Sequence, residues 1–80
     1  MSINICVEGF SSTTTEEELR RLFSPLGAVA AVRIETGVDG QFLGIAAVQM
    51  FHAHEAEIAV QALNRRRLNG KGLLVFLSGS

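Results

Sequence analysis

The hydrophobic pattern of this chain switches several times between a period of two residues and a period of about 3.6 residues. Segments of period two that are rich in β-branched and aliphatic residues predict strands, and segments of helical period with polar outer positions predict amphipathic helices. The predicted strands are residues 3–7, 29–35, 43–50 and 73–77, and the predicted helices are residues 16–23 and 53–63. The order of the elements is therefore βαββαβ.

Residues that cap helices and form turns mark the ends of these elements. Thr15 precedes three glutamates, and Glu18 stands three residues after it, which is the spacing of a capping box. Pro25 and Gly27 end the first helix, because proline cannot continue the hydrogen-bond ladder and glycine suits a helix end. Residues 36–40 (TGVDG) have turn chemistry and predict a hairpin between the second and third strands. The second strand should be irregular near residues 30–31.

The order of the elements predicts an α+β fold, a ferredoxin-like βαββαβ sandwich. Right-handed crossovers place both helices on one face of a four-stranded antiparallel sheet. Residues 1–80 are expected to form a single domain, since a chain of 80 residues can build one small core. The other face of the sheet is left bare.

The third strand indicates which side chains that bare face carries. Successive side chains in Leu43 to Met50 (LGIAAVQM) point to opposite faces, so Ile45 and Ala47 share a face with Leu43. Continued through the sheet, the alternation predicts a bare face of Cys6, Leu43, Ile45, Ala47, Leu74 and Phe76, with Asn4, Arg33, Glu35 and Gln49 around them. Burying four large side chains of such a patch against a partner would contribute about 6 to 12 kcal/mol.

Composition and charge narrow the setting of the protein. The chain is 48% hydrophobic and 19% charged, which is typical of a globular domain. Its net charge is −1 and its pI about 6.1, whereas domains that hold nucleic acid mainly through phosphate usually have a pI above about 9. The single cysteine, Cys6, excludes an intrachain disulfide and favours an intracellular setting, in either nucleus or cytoplasm. No apolar stretch approaches the roughly 18 residues of a membrane helix, so we expect a soluble protein, or a soluble domain of a longer one, without membrane contact.

Four segments together resemble the RNA recognition motif family. ICVEGF at residues 5–10 stands where the family has its hexamer motif, and LGIAAVQM at residues 43–50 stands where it has its octamer motif. The first helix and turn of the family are similar to residues 16–29, EEELRRLFSPLGAV. Its second helix and the segment that follows it are similar to residues 56–70, AEIAVQALNRRRLNG. The resemblance implies the same fold and single-stranded RNA as the partner.

The same resemblance locates the positions where the family stacks RNA bases on aromatic side chains. Here those positions hold Cys6, Ile45 and Ala47, and Leu43 stands where the family has a lysine or arginine. Each base stacked on an aromatic ring is worth about 1 to 3 kcal/mol, so losing two or three such contacts predicts RNA association in an atypical mode. The alternative is protein interaction or homodimerisation through the aliphatic face. Loops or a longer parent chain that cover the face would also account for it.

One basic cluster follows the second predicted helix, in a polar segment at residues 64–72 that is expected to be a loop. Arg65, Arg66, Arg67 and Lys71 are candidates for phosphate contacts. The other interpretation is a solvated loop whose positive charge favours the end of the second helix. Arg33 would either contact phosphate or pair with Glu35.

The sequence offers no constellation for catalysis, a cofactor or a metal ion. Ser11, Ser12 and Thr13 follow the first strand, but no histidine or carboxylate is placed to activate them. His52 and His54 are two residues apart and do not share a helix face as metal ligands would. We therefore expect a binding module that is not an enzyme.

Overall fold

A computed structural model describes residues 2–78, and its elements follow the order that the sequence predicts. The strands are β1 Ile3–Glu8, β2 Val29–Thr36, β3 Phe42–Met50, β4 Arg67–Leu68, β5 Lys71–Gly72 and β6 Leu74–Leu77, and the helices are α1 Glu16–Phe23 and α2 Ala53–Leu63. Short 3₁₀ turns, Ser24–Leu26 and Val38–Gly40, precede β2 and β3.

The main sheet has the order β2-β3-β1-β6, and its neighbouring strands are antiparallel. The pairs Cys6–Ala47 and Cys6–Phe76 place β1 at the centre, between β3 and β6. The predicted α+β fold, with a four-stranded antiparallel sheet and two helices, is confirmed. The irregularity of β2 is also present, as a register shift between Val29 and Ala31.

Helix α1 begins where its capping residues predict. The Glu18 backbone N–H donates to Thr15 Oγ1 over 3.1 Å, and the Thr15 N–H donates to Glu18 Oε1 over 3.0 Å. Two of the backbone groups that a helix start leaves without partners are thus satisfied. Leu19 and Phe23 are fully buried, so the helix turns its apolar face to the sheet.

The core lies between the helices and one face of the sheet. Its buried apolar residues are Ile5, Val7, Phe10, Leu19, Phe23, Ala46, Val48, Met50, Ala56, Ala59, Leu63, Leu73 and Val75. In β1 and β3 these residues alternate with partly exposed ones, so only one face of the sheet is covered. Neither helix among residues 2–78 has the length and apolar character needed to cross a bilayer.

Two expectations about the end of the chain are wrong. The segment expected to be a loop contains the β4–β5 hairpin, with Arg67 paired to Gly72 and Leu68 to Lys71. Asn69 and Gly70 form its turn with φ of 52° and 81°, the positive values that a tight hairpin turn requires. The last strand begins at Leu74 and not at the predicted Leu73. The backbone N–H of Leu73 donates to Arg66 O, and its side chain is buried in the core.

Candidate functional site

Strand register determines which side chains share the face opposite the helices. Paired residues of antiparallel strands point to the same face. Cys6 pairs with Ala47 and Phe76, and Ala47 pairs with Arg33. We call this surface the open face; it comprises Asn4, Cys6, Glu8, Arg33, Glu35, Ile45, Ala47, Gln49, Leu74 and Phe76.

The structure therefore brings together nine of the ten residues that the sequence places on the bare face. The tenth, Leu43, is 45% exposed and lies at the margin. It is separated from Ile45 by Gly44, whose φ of 70° favours glycine, and its side chain lies beside Gly37 in the β2–β3 turn. Leu43 thus contributes to the rim of the open face.

A shallow concavity lies at the centre of the open face. Its volume is about 250 Å³, and its floor is formed by the small side chains of Cys6 and Ala47. The amides of Asn4 and Gln49, which pair across β1 and β3, lie on one side. The concavity follows directly from the absence of large side chains at positions 6 and 47.

Carboxylates dominate the electrostatics of this centre. Arg33 Nε donates to Glu35 Oε2 over 2.8 Å, so the guanidinium expected on the sheet is already paired. Cys6 Sγ donates to Glu8 Oε2 over 3.6 Å. Burial, this hydrogen bond and the negative charges of Glu8 and Glu35 raise the pKa of the Cys6 thiol, which therefore stays neutral near pH 7.

The β6 edge of the open face has the opposite character. Leu74 and Phe76 are 51% and 43% exposed. The outer side of the strand is joined to the segment after α2, because Arg65 N–H donates to Leu73 O and Val75 N–H donates to Asn64 Oδ1. Large apolar side chains are thus displayed next to the segment that carries three of the six arginines.

That segment holds the basic cluster, namely Arg65, Arg66, Arg67 and Lys71. All four side chains are exposed, and none forms an ion pair with any residue among 2–78. Arg65 has a φ of 69°, a backbone conformation that turns the chain from α2 towards the hairpin. The hairpin is held to α1 by Asn69 Nδ2, which donates to Glu18 Oε2 over 3.2 Å. Arg65 and Arg66 therefore lie in the segment that is bonded to the β6 side of the sheet, whereas Arg67 and Lys71 lie in a hairpin that is attached to α1.

Comparison with known proteins identifies the fold family. The family model described as the RNA recognition motif matches residues 5–74. The chain belongs to the RNA recognition motif family. The two family motifs contribute Cys6, Ile45 and Ala47 to the open face, at the positions where the family stacks bases on aromatic rings.

Solved structures of RNA recognition motif proteins superpose closely on this chain. The crystal structure of RNA Binding Protein PG1 is 28% identical, with a TM-score of 0.89 over 95% of this chain and 93% of that one. RNA recognition domains 1 and 2 of Sex-lethal from Drosophila melanogaster are 25% identical, with a TM-score of 0.88; 98% of this chain matches half of that one. The second such domain of yeast poly(U)-binding protein, at 19% identity, TM-score 0.87 and coverage of 98% and 95%, shares the fold.

Sequence reasoning missed one residue of the site, Glu8. The first predicted strand ended at Val7, but β1 continues to Glu8, which pairs with Ile45 and Leu74. Continuing the alternation of Asn4 and Cys6 by one step would have found it. The hairpin that carries Arg67 and Lys71 had a signal too, the Asn-Gly dipeptide at residues 69–70.

No group of three or more His, Cys, Asp and Glu side chains within residues 2–78 is arranged to hold a metal ion. His52 is the N-cap of α2 and makes no capping hydrogen bond through its side chain. Both His52 and His54 are exposed.

Proposed function

We propose that this protein is a non-enzymatic module that binds single-stranded RNA without stacking bases on aromatic side chains at the centre of its sheet. The observation that carries the proposal is the exposed Phe76 on β6, a strand whose outer side is hydrogen-bonded to the segment that carries Arg65 and Arg66, in a member of the RNA recognition motif family. PG1 is named as an RNA-binding protein, and Sex-lethal as carrying RNA recognition domains. Both names support RNA as the ligand.

The charges of the open face favour a particular path for the RNA. Phosphates should bind at the basic cluster, because arginine forks match phosphate geometry and these side chains form no ion pair with any residue among 2–78. Glu8 and Glu35 repel phosphate from the sheet centre. The backbone would therefore follow the β6 edge, with one base stacked on Phe76. Arg33 could add a contact only by sharing its guanidinium with Glu35.

The test is the salt dependence of RNA affinity. For single strands the logarithm of the affinity falls with that of the salt concentration by about 0.7 per phosphate contact, so four cations predict a slope of about −3. The charge-reversed double variant Arg66→Glu with Arg67→Glu should bind RNA more weakly, and its affinity should depend less steeply on the salt concentration. Fluorescence anisotropy with labelled RNA of about eight nucleotides, a length within the usual site size, measures both quantities.

A matched control is available on helix α1. Arg20 and Arg21 are exposed in its last turn, on the helix layer of the domain. Reversing both makes the same change in net charge far from the open face and should leave the slope nearly unchanged. If both double variants lose the same RNA affinity, the loss reflects the net charge of the protein and not a contact at the basic cluster. No binding at high micromolar RNA would contradict the proposal.

Self-association is a second candidate function, favoured by the exposed apolar residues of the open face. Leu74 and Phe76 are adjacent members of that face, and Leu43 lies at its rim. A second copy that covered this surface would remove all three from water. Analytical ultracentrifugation of wild type and Ile45→Asp tests this candidate: a dimer that the aspartate dissociates supports it, and two folded monomers contradict it.

We also propose an intracellular location, supported by the single cysteine.

A further inference from the structure

The open face carries polar groups that the proposed path of the RNA backbone does not use. The carboxylates of Glu8 and Glu35 each accept one hydrogen bond through Oε2, and their Oε1 atoms have no partner among residues 2–78. The side-chain amides of Asn4 and Gln49 make no hydrogen bond within the same residues. Glu35, Asn4 and Gln49 line the central concavity, and Glu8 lies beside it, with its Oε2 3.6 Å from Cys6 Sγ.

We infer that this concavity is a site for one nucleobase and that it selects bases with an exocyclic amino group, namely cytosine, adenine and guanine, over uracil. The inference rests on the proposed RNA binding and specifies the base that the sheet centre takes. The volume of about 250 Å³ is just below the range of about 300 to 1,000 Å³ typical of sites for drug-sized ligands, and suits a single flat ring system.

Hydrogen-bonding chemistry gives the selection its direction. An ionised carboxylate only accepts hydrogen bonds. Cytosine, adenine and guanine present amino donors on their pairing edges, whereas uracil presents two carbonyl oxygens around a single N–H. A uracil carbonyl facing Glu35 would bring two acceptors together in a partly desolvated site. Uracil can donate to the carboxylate only through the single N–H between its two carbonyls, so it should bind this site more weakly than a base with an amino group. The amides of Asn4 and Gln49 can donate and accept, so they orient a base without imposing this choice.

The shape of the site supports a base and not a phosphate. The floor is made by Cys6 and Ala47, with the apolar side chain of Ile45 beside them. An apolar floor with polar groups on the walls matches a flat ring whose polar atoms lie on its edge. A phosphate would meet the fields of two carboxylates, while the nearest guanidinium, that of Arg33, is held by Glu35 at 2.8 Å.

The experiment compares homopolymeric RNAs of about eight nucleotides, a length within the usual site size, by fluorescence anisotropy at one salt concentration. Oligo(C) and oligo(A) should bind wild type about tenfold more tightly than oligo(U), the size of one good base contact. Glu35→Gln, at a carboxylate that lines the concavity, should remove most of this ratio, because an amide can donate to a uracil carbonyl. Glu57→Gln, which removes a carboxylate from an exposed position of α2, is the matched control and should preserve it.

A second readout places the base in the concavity. Cys6 is the only cysteine of the chain and lies on the floor, so bound oligo(C) should slow its alkylation by iodoacetamide. RNA held only at the basic cluster would leave that rate unchanged. This inference is overturned if oligo(U) binds as tightly as the other homopolymers, or if saturating oligo(C) leaves the alkylation rate unchanged. Neither result contradicts the proposed RNA binding. If no oligonucleotide binds, the proposed function fails and this inference fails with it.

Discussion

The two faces of the central sheet are built from alternate residues of the same strands and have opposite properties. On the helix side, Ile5 and Val7 are fully buried in a core closed by α1 and α2. On the other side, Cys6 stands between them, partly exposed at the floor of a concavity. A shift of one residue along β1 thus changes the environment from packed core to accessible surface. The residues that close the core and the residues that form the accessible surface are therefore separate, interleaved sets.

The difference also explains how the chain keeps the family fold with an altered binding surface. The fold requires only that the inward residues be apolar and fill the core at near-crystalline density. The outward residues are free of that requirement, so Cys6 and Ala47 can occupy positions where the family stacks bases on aromatic rings without disturbing the sheet. What the open face binds therefore depends on its residues and not on the fold.

The largest expected effect tests the separation of the two faces at adjacent positions. Ile5→Ala removes a fully buried side chain and should lower the free energy of unfolding by about 2 to 5 kcal/mol, because the neighbouring core cannot fill the cavity. Cys6→Ala, one residue away on the open face, should change it by less than about 1 kcal/mol. Urea denaturation followed by circular dichroism measures both. Similar losses at the two positions would show that the open face is also needed for stability.

The second largest effect is expected from a variant that restores an aromatic ring to the open face. Ala47→Phe should strengthen binding to single-stranded RNA by about 1 to 3 kcal/mol, the value of one stacked base, because the ring would lie over the small Cys6. The same ring fills the concavity, so the preference among bases should fall as the affinity rises. Ala62→Phe, at an exposed position of α2, is the control and should have no effect on binding. An unchanged affinity of Ala47→Phe would mean that RNA does not cross the sheet centre.

The fold could be predicted from sequence because its signals are local and consistent with one another. The Thr15 and Glu18 capping box fixed the start of α1, and helical spacing of apolar residues fixed both helices. Alternation in β3 separated the two faces, because one face of this sheet is buried and register is then strongly specified. The short β4–β5 hairpin was missed, since two-residue strands have no detectable period, and the end of β1 and the start of the last strand were each misplaced by one residue.

The candidate site was predictable as a set of residues but not as a surface with charges. Alternation gives the face to which Arg33 and Glu35 point, but it left open whether Arg33 pairs with Glu35 or is available to phosphate; the structure has the pair, at 2.8 Å. Likewise, the concavity depends on how close three strands bring the side chains around Cys6 and Ala47. Distances between strands depend on register and twist, which a hydrophobic pattern does not encode.

A smaller effect measures the negative field of the open face without RNA. Partial burial, the hydrogen bond to Glu8 and the charges of Glu8 and Glu35 raise the pKa of Cys6. The alkylation rate of Cys6 by iodoacetamide should therefore rise with a midpoint above the ordinary pKa of a thiol. In Glu8→Gln the midpoint should move down, while burial keeps it above the ordinary value. Glu57→Gln should match wild type; a shift as large as that in Glu8→Gln would contradict a local field.

The smallest effect concerns the contact that joins the helix layer to the hairpin beside the open face. Hydrogen bonds from Asn69 and from the Thr15 backbone N–H lower the pKa of the exposed Glu18. Unfolding then takes up protons, so this contribution to stability is complete above the ordinary glutamate pKa and is lost as the pH falls through the lower folded value. Urea midpoints between about pH 3 and 6, around the ordinary glutamate pKa, should therefore fall less steeply with acidity in Glu18→Gln than in wild type. Glu57→Gln serves as the control, and a Glu18→Gln profile parallel to that of wild type would show that the contact is not maintained in solution.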